Sequence, residues 1–276
     1  MYILIMKYIV SFTTSPTRIN KIEPMINSIL NQTKKPDLII LNLPKIFHRT
    51  NEEYNIPEFV SRHVRVNIID IDYGPATKLV PTIKYLNDEN YDKEDTRIIY
   101  VDDDVRYPLQ MIEAFDITIL PADNSVWASS GFIYLNKEVY KLRKHCDIAT
   151  IVEGFGGVCV KLNTFEEDFM NYINTYTSIN KLNCRLSDDI ILSNYYHKKH
   201  IQMKVCCYVG NYSLLDILNN KCFLKYGELS DALHRGADGL TSDNIRYYNV
   251  INILSKNKEL HFKMQKSKPR YGLMFL

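Results

Sequence analysis

Residues 98 to 108 read IIYVDDDVRYP, a short apolar run that ends in Asp102, Asp103 and Asp104. Three adjacent carboxylates repel one another, so without a counter-charge some must protonate or splay toward water. A divalent cation supplies such a charge. Hard oxygen donors select Mg2+ or Mn2+, ions commonly held by one or two carboxylates together with substrate phosphates. In an extended Asp-x-Asp segment the outer side chains point the same way, which lets Asp102 and Asp104 face one ligand. A solvated turn or a helix N-terminus, where Asp is favoured, accounts for the same run without any ligand.

A second acidic pair lies in SDDIILSNYYHKKH (187–200), which reads as a helix with Ser187 as its N-cap. A carboxylate at Asp188 or Asp189 can act as general base on a hydroxyl within hydrogen-bond reach, and the helix N-terminus would keep it ionised. The plainer alternative is that both merely complement the helix dipole. Lys78, in GPATKL, is either a phosphate partner or a surface charge. Gly156 and Gly157, in EGFGG, either let the backbone approach a ligand closely or turn the chain into a strand. His234 is one of seven histidines, and imidazole can complete an octahedral shell of carboxylate, phosphate and water.

The elements that must position these residues alternate. Strand-length apolar runs occur at 8–12, 38–43, 64–70, 97–101 and 125–130. Between the first two, Ile22, Met25, Ile26, Ile29 and Leu30 share one helical face, with Pro24 tolerable in a first turn. A second helix is expected over about 76–86, and Leu109, Ile112 and Phe115 imply another after Pro108. Such alternation implies parallel strands joined by crossover helices, an α/β sheet of the nucleotide-binding type. The second half is less regular: a strand at 156–162, the 187–200 helix, a strand from Ile201, and a last helix from near Ser242. In an open α/β sheet the ligand crevice lies beyond the carboxyl ends of the strands, where the acidic triplet stands.

Composition narrows the partners. With 46% hydrophobic and 24% charged residues and a net charge of +2, the 276-residue chain reads as globular, with no basic stripe that would mark a nucleic-acid binder. The opening MYILIMKYIVSF is interrupted by Lys7 and is far shorter than a membrane span, so it is expected to be a buried strand of a cytoplasmic protein. The six cysteines show no C-x-x-C pair and are expected to be free thiols. No repeat or linker divides the chain, and composition says nothing of its oligomeric state.

Taken in order, SFTTSPTRINKIEPMINSILNQTKKPD (11–37), DYGPATKLVPTIKYL (72–86), RIIYVDDDVRYP (97–108), EGFGGVCV (153–160) and SDDIILSNYYHKKH (187–200) resemble the motifs of small nucleotide-sugar glycosyltransferases of the GT-A fold. The resemblance implies one domain over 1–255, with a donor-binding half over about 1–108, an acceptor-side half over about 109–255, and a tail at 256–276. It further implies a Rossmann-like, mostly parallel sheet flanked by helices. Thr13, with Arg18 nearby, would receive a uridine, and Lys78 would reach the diphosphate. Asp104 would be the direct ligand of Mn2+ or Mg2+, with Asp102 as its ribose or water-mediated companion and Asp103 toward the donor sugar. Gly156 and Gly157 would border the sugar, and His234 would join the metal. Asp189 first, or Asp188, would be the base in transfer from a UDP-sugar to a hydroxyl of a glycan or protein. Whether the reaction inverts or retains is not readable from spacing.

Two other classes share these residues. A non-catalytic nucleotide-sugar or glycan-binding module would keep the same carboxylates. A phosphatase with an Asp-x-Asp nucleophile resembles YVDDDV, but it wants Thr or Val two positions past the second Asp, where this chain has Arg106.

Overall fold

In the computed structural model, β1 (Lys7–Phe12), β2 (Leu38–Pro44), β3 (Arg65–Ile69) and β4 (Thr96–Tyr100) fall on the expected apolar runs. The structure describes residues 6–135, 138–142, 145–178, 181–206, 208–209, 212–213, 222–225 and 243–262. Helix α1 (Glu23–Leu30) joins the first two strands, α2 (Glu58–His63) precedes β3, and α3 (Val80–Asp88) precedes β4. The helix expected from residue 76 starts later. Gly74–Lys78 first makes a tight 3-10 turn, and Pro81 then sits in the first turn of α3, where its missing N–H is harmless.

Beyond β4 the chain runs through α4 (Met111–Thr118) into β5 (Val126–Ala128). A small antiparallel sheet follows, made of β6 (Gly131–Leu135), β7 (Glu138–Lys141) and β8 (Ile151–Val152). The main sheet resumes with β9 (Val158–Lys161); α5 (Phe169–Thr177), α6 (Leu182–Arg185) and α7 (Asp188–Lys198) lead to β10 (Met203–Val205), and α8 (Asp243–Lys256) ends the described fold.

Among the described residues the central sheet has seven strands in the order β10-β5-β9-β4-β1-β2-β3. Neighbours β4, β1, β2 and β3 are parallel, as are β10 and β5, while β9 runs antiparallel to both β4 and β5. This is the expected α/β class, a mainly parallel sheet flanked by helices. The reversal at β9 was not foreseeable, because an apolar run buried on both faces has no direction in its composition.

Strand periodicity sorts the core into two layers. Tyr8, Val10 and Phe12 pack on one face of the sheet with Ile99, Met25 and Ile26, whereas Ile9 joins Ile40, Ile98, Leu79 and Ile190 on the other. Each such side chain removed from water adds about 1.5–3 kcal/mol, so the strands through the middle of the sheet are its most firmly held part. Among the described residues, no helix is long and apolar enough to cross a membrane. The described cysteines Cys146, Cys159 and Cys184 are free thiols.

Candidate functional site at the ends of β1 and β4

Strand order creates the site. The chain lays β2 and β3 on one side of β1 and then returns to place β4 on the other, so the connections diverge between β1 and β4. At such a switch point the loops after both strands open a crevice. Thr13 to Arg18 leave β1 there, and Asp102 to Asp104 leave β4 beside them.

Arg18 bridges two of the three carboxylates. Its Nη1 lies 3.0 Å from Asp103 Oδ1 and 3.3 Å from Asp104 Oδ2, with all three side chains largely buried. Thr14 Oγ1 donates to Asp103 Oδ2 at 2.5 Å. Lys78 takes the third carboxylate, donating from Nζ to Asp102 Oδ1 at 2.6 Å. The chain therefore supplies counter-charges of its own to the acidic triplet. The compensation is partial. Burial first, then Asp103 and Asp102, push the Asp104 carboxyl up to about 7 against the pull of Arg18.

Lys78 also reaches the second acidic pair. Its Nζ stands 3.0 Å from Asp188 Oδ2, outside hydrogen-bond geometry, so that oxygen is buried with an ion pair and no hydrogen bond. Burial works against the ammonium, but Asp102, Asp188 and Asp189 more than offset it and hold its pKa well above the ordinary value. The turn that carries Lys78 is anchored from below: Ser11 Oγ donates to the Lys78 carbonyl and sits in a buried network with Thr82 and Asn42. From the other side Arg185 pairs with Asp72 at 2.8 Å, and Asp72 Oδ1 accepts the Gly74 amide at 2.6 Å.

Ser187 stands at the N-cap position of α7, yet its hydroxyl makes no capping bond and accepts instead from Arg246 Nε at 3.2 Å. Asp189 Oδ1 accepts the Gly154 amide at 2.9 Å, and Tyr247 donates to Asp189 Oδ2 at 3.3 Å. Burial and the adjacent Asp188 hold the Asp189 carboxyl well above the usual range. The helix N-terminus was expected to keep it ionised, but a dipole worth about 0.3–1 kcal/mol does not match burial beside a second carboxylate.

The surroundings of the remaining expected residues are as follows. Thr13 Oγ1 donates to the Asn42 carbonyl at 2.8 Å and so ties the end of β1 to β2. The space a Cβ would fill at Gly156 is taken by Ser129 Oγ, 2.0 Å away, and at Gly157 it is bounded by Met111 Sδ at 3.0 Å. The glycine that borders the acidic centre is Gly154, where a Cβ would meet Lys78 Nζ at 2.5 Å. His234 lies outside the described residues.

Sequence reasoning missed several supports. Tyr107 OH accepts the Asp102 amide at 2.9 Å and donates to the Phe155 carbonyl at 2.9 Å, which ties the triplet to the EGFGG loop. Leu224 N donates to the Asp104 carbonyl at 2.8 Å, so residues 222–225 brace the loop from outside. Glu153, one residue before Gly154, is buried on Ser130 and Lys141. A tyrosine five residues past an acidic strand end was a visible signal; the partners of Asp189 had none.

No family model matches the chain, and no curated protein matches it in sequence. Among solved structures, the crystal structure of S. aureus TarS 1-349 matches with a TM-score of 0.44 and 10% sequence identity, covering 94% of this chain and 76% of that one.

Proposed function

We propose that the protein transfers a sugar from a nucleoside diphosphate sugar to an acceptor hydroxyl with the help of a divalent cation. One observation carries this reading: Asp102, Asp103, Asp104, Asp188 and Asp189 converge with Arg18 and Lys78 at one crevice between β1 and β4. UDP is the carrier that the sequence resemblance implies.

The donor set fits Mn2+ or Mg2+. Asp104 offers a carboxyl that burial first, and then Asp103 and Asp102, push up to about 7, and Asp102 stands two residues away. Among the described residues no group of three or more His, Cys, Asp or Glu is placed to hold a metal. A cation here would therefore rest on Asp104 and Asp102 and take its other ligands from the diphosphate and water, as Mg2+ commonly does. Such an ion would neutralise charge that grows on the departing diphosphate.

The chain's own groups do the rest. Lys78 and Arg18 are the cations that a diphosphate would meet, and the forked guanidinium suits phosphate oxygens. Asp189, a carboxyl with raised proton affinity, is the group to accept the acceptor's proton, and Gly154 and Tyr247 orient it. The acceptor is a hydroxyl of a glycan or protein.

Release of UDP from UDP-glucose, UDP-galactose and UDP-N-acetylglucosamine, each with Mn2+, tests the proposal. Turnover of at least one, abolished by EDTA, is expected. Tight binding of UDP with no turnover of any would make the protein a binding module instead.

A further inference from the structure

Glu153 places a negative charge beside the residue that holds Asp189. Its carboxylate is buried, with Oε2 accepting from Ser130 Oγ at 2.6 Å and Oε1 paired with Lys141 Nζ. The next residue is Gly154, whose amide donates to Asp189 Oδ1 at 2.9 Å, so the glutamate and the hold on Asp189 belong to one turn of chain. Lys141, on β7, fastens that turn: its ammonium stands 5.6 Å from the Phe132 ring centre and 5.7 Å from that of Phe155, the residue after Gly154. An ammonium set against two aromatic rings and a buried carboxylate is placed more narrowly than a solvated one.

Asp189 meets charges from several elements. Asp188 precedes it on α7, Glu153 follows β8 and Asp102 follows β4, and all three oppose its ionisation, whereas Lys78 favours it. Tyr247 donates to its Oδ2 from α8, and the nearby Tyr100 and Tyr196 keep their protons because burial raises both phenols. Of the three carboxylates, Asp188 and Asp102 share Lys78, while Glu153 is matched by Lys141.

We propose that Lys141 is a positioning residue for Asp189: through Glu153 it fixes the turn whose Gly154 amide aims that carboxylate, and it cancels a charge that would otherwise oppose ionisation there. This rests on the reading of Asp189 as the base of the proposed transfer. A base must be ionised to take the acceptor's proton, so its contribution is lost as pH falls through its own protonation. Without Lys141, an uncompensated Glu153 makes the ionised form of Asp189 less stable, and the protonated, idle form persists to higher pH. Without the Glu153 charge the reverse holds.

The pH profile of UDP release tests this, measured with Mn2+ and whichever of UDP-glucose, UDP-galactose and UDP-N-acetylglucosamine the wild-type protein turns over fastest. The midpoint of the acid limb should move up by about half a pH unit or more in Lys141→Met. It should move down in Glu153→Gln, which keeps an acceptor for Ser130, and return toward wild type when the two changes are combined. A lysine that only packs would lower the rate or the stability and leave the midpoints in place. Midpoints that coincide, a profile without an acid limb, or a shift in the same direction in both single variants overturns the inference while leaving the proposed function standing. If Lys141→Met fails to fold, Glu153→Gln carries the test alone, and a midpoint at or above that of wild type overturns the inference. Wild-type protein that releases UDP from none of the three overturns both the inference and the reading beneath it.

Discussion

Lys78 Nζ and Asp188 Oδ2 stand 3.0 Å apart, and the same ammonium donates to Asp102 at 2.6 Å. One buried side chain thus joins the loop after β4 to the first turn of α7. Removing it leaves two carboxylates facing each other in a largely dry setting. We expect Lys78→Met to lower unfolding stability by about 3–5 kcal/mol in urea denaturation, the usual cost of orphaning a buried charge. A loss below about 1 kcal/mol would mean that water reaches the pair freely.

Asp189 bears on chemistry rather than on donor binding. Asp189→Asn keeps an acceptor for the Gly154 amide, so the local hydrogen bond survives. UDP release from the active UDP-sugar should fall by about 10²–10⁴-fold, the range for loss of a general base, with affinity for UDP and Mn2+ unchanged. Equal loss of binding and turnover would place Asp189 on the donor side.

At Gly154 the constraint is space. A methyl group there would stand 2.5 Å from Lys78 Nζ, whose position two carboxylates fix. Gly154→Ala should cost about 1–3 kcal/mol in urea denaturation, as overpacking does, together with at least a ten-fold loss of UDP release. Wild-type turnover in this variant would show that the Lys78 bridge is dispensable.

The triplet at the end of β4 and the acidic start of α7 were legible because strand and helix periodicities locate element ends. What brings them together was not. The Arg18 bridge joins residues 85 and 86 positions apart, and the Tyr247 contact with Asp189 spans 58. No periodicity records such pairings, since they follow from strand order. The direction of β9 was hidden for a related reason: Val158, Cys159 and Val160 are buried whichever way the strand runs. The small sheet of β6, β7 and β8 lies on short runs that carry no regular alternation of apolar and polar residues. At Gly156 and Gly157 an added Cβ would meet Ser129 and Met111, and a glycine in sequence does not reveal which neighbour bounds its space.

Asp123 sets part of the acid response. Burial raises its carboxyl, but Ser125, Trp127 and Lys204 more than offset that and hold its pKa down at about 2. The unfolded chain takes up this proton near pH 3.9, so between those values the unfolded state binds more protons and stability rises with pH. The contribution is complete above about pH 5 and is lost as pH falls through about 2. The urea midpoint of wild-type protein should therefore drop more steeply from pH 5 to pH 2.5 than that of Asp123→Asn. Parallel profiles would show that the hydrogen bonds do not favour the ionised form.

The central claim is that a divalent cation and a diphosphate meet at the acidic triplet. Anomalous scattering from crystals grown with Mn2+ and UDP measures this directly. The account predicts a manganese peak against Asp104 and Asp102 with the diphosphate beside it, and loss of that peak in Asp104→Ala. A nucleotide bound elsewhere, or a triplet still paired only with Arg18 and Lys78 at saturating Mn2+ and UDP, would contradict it.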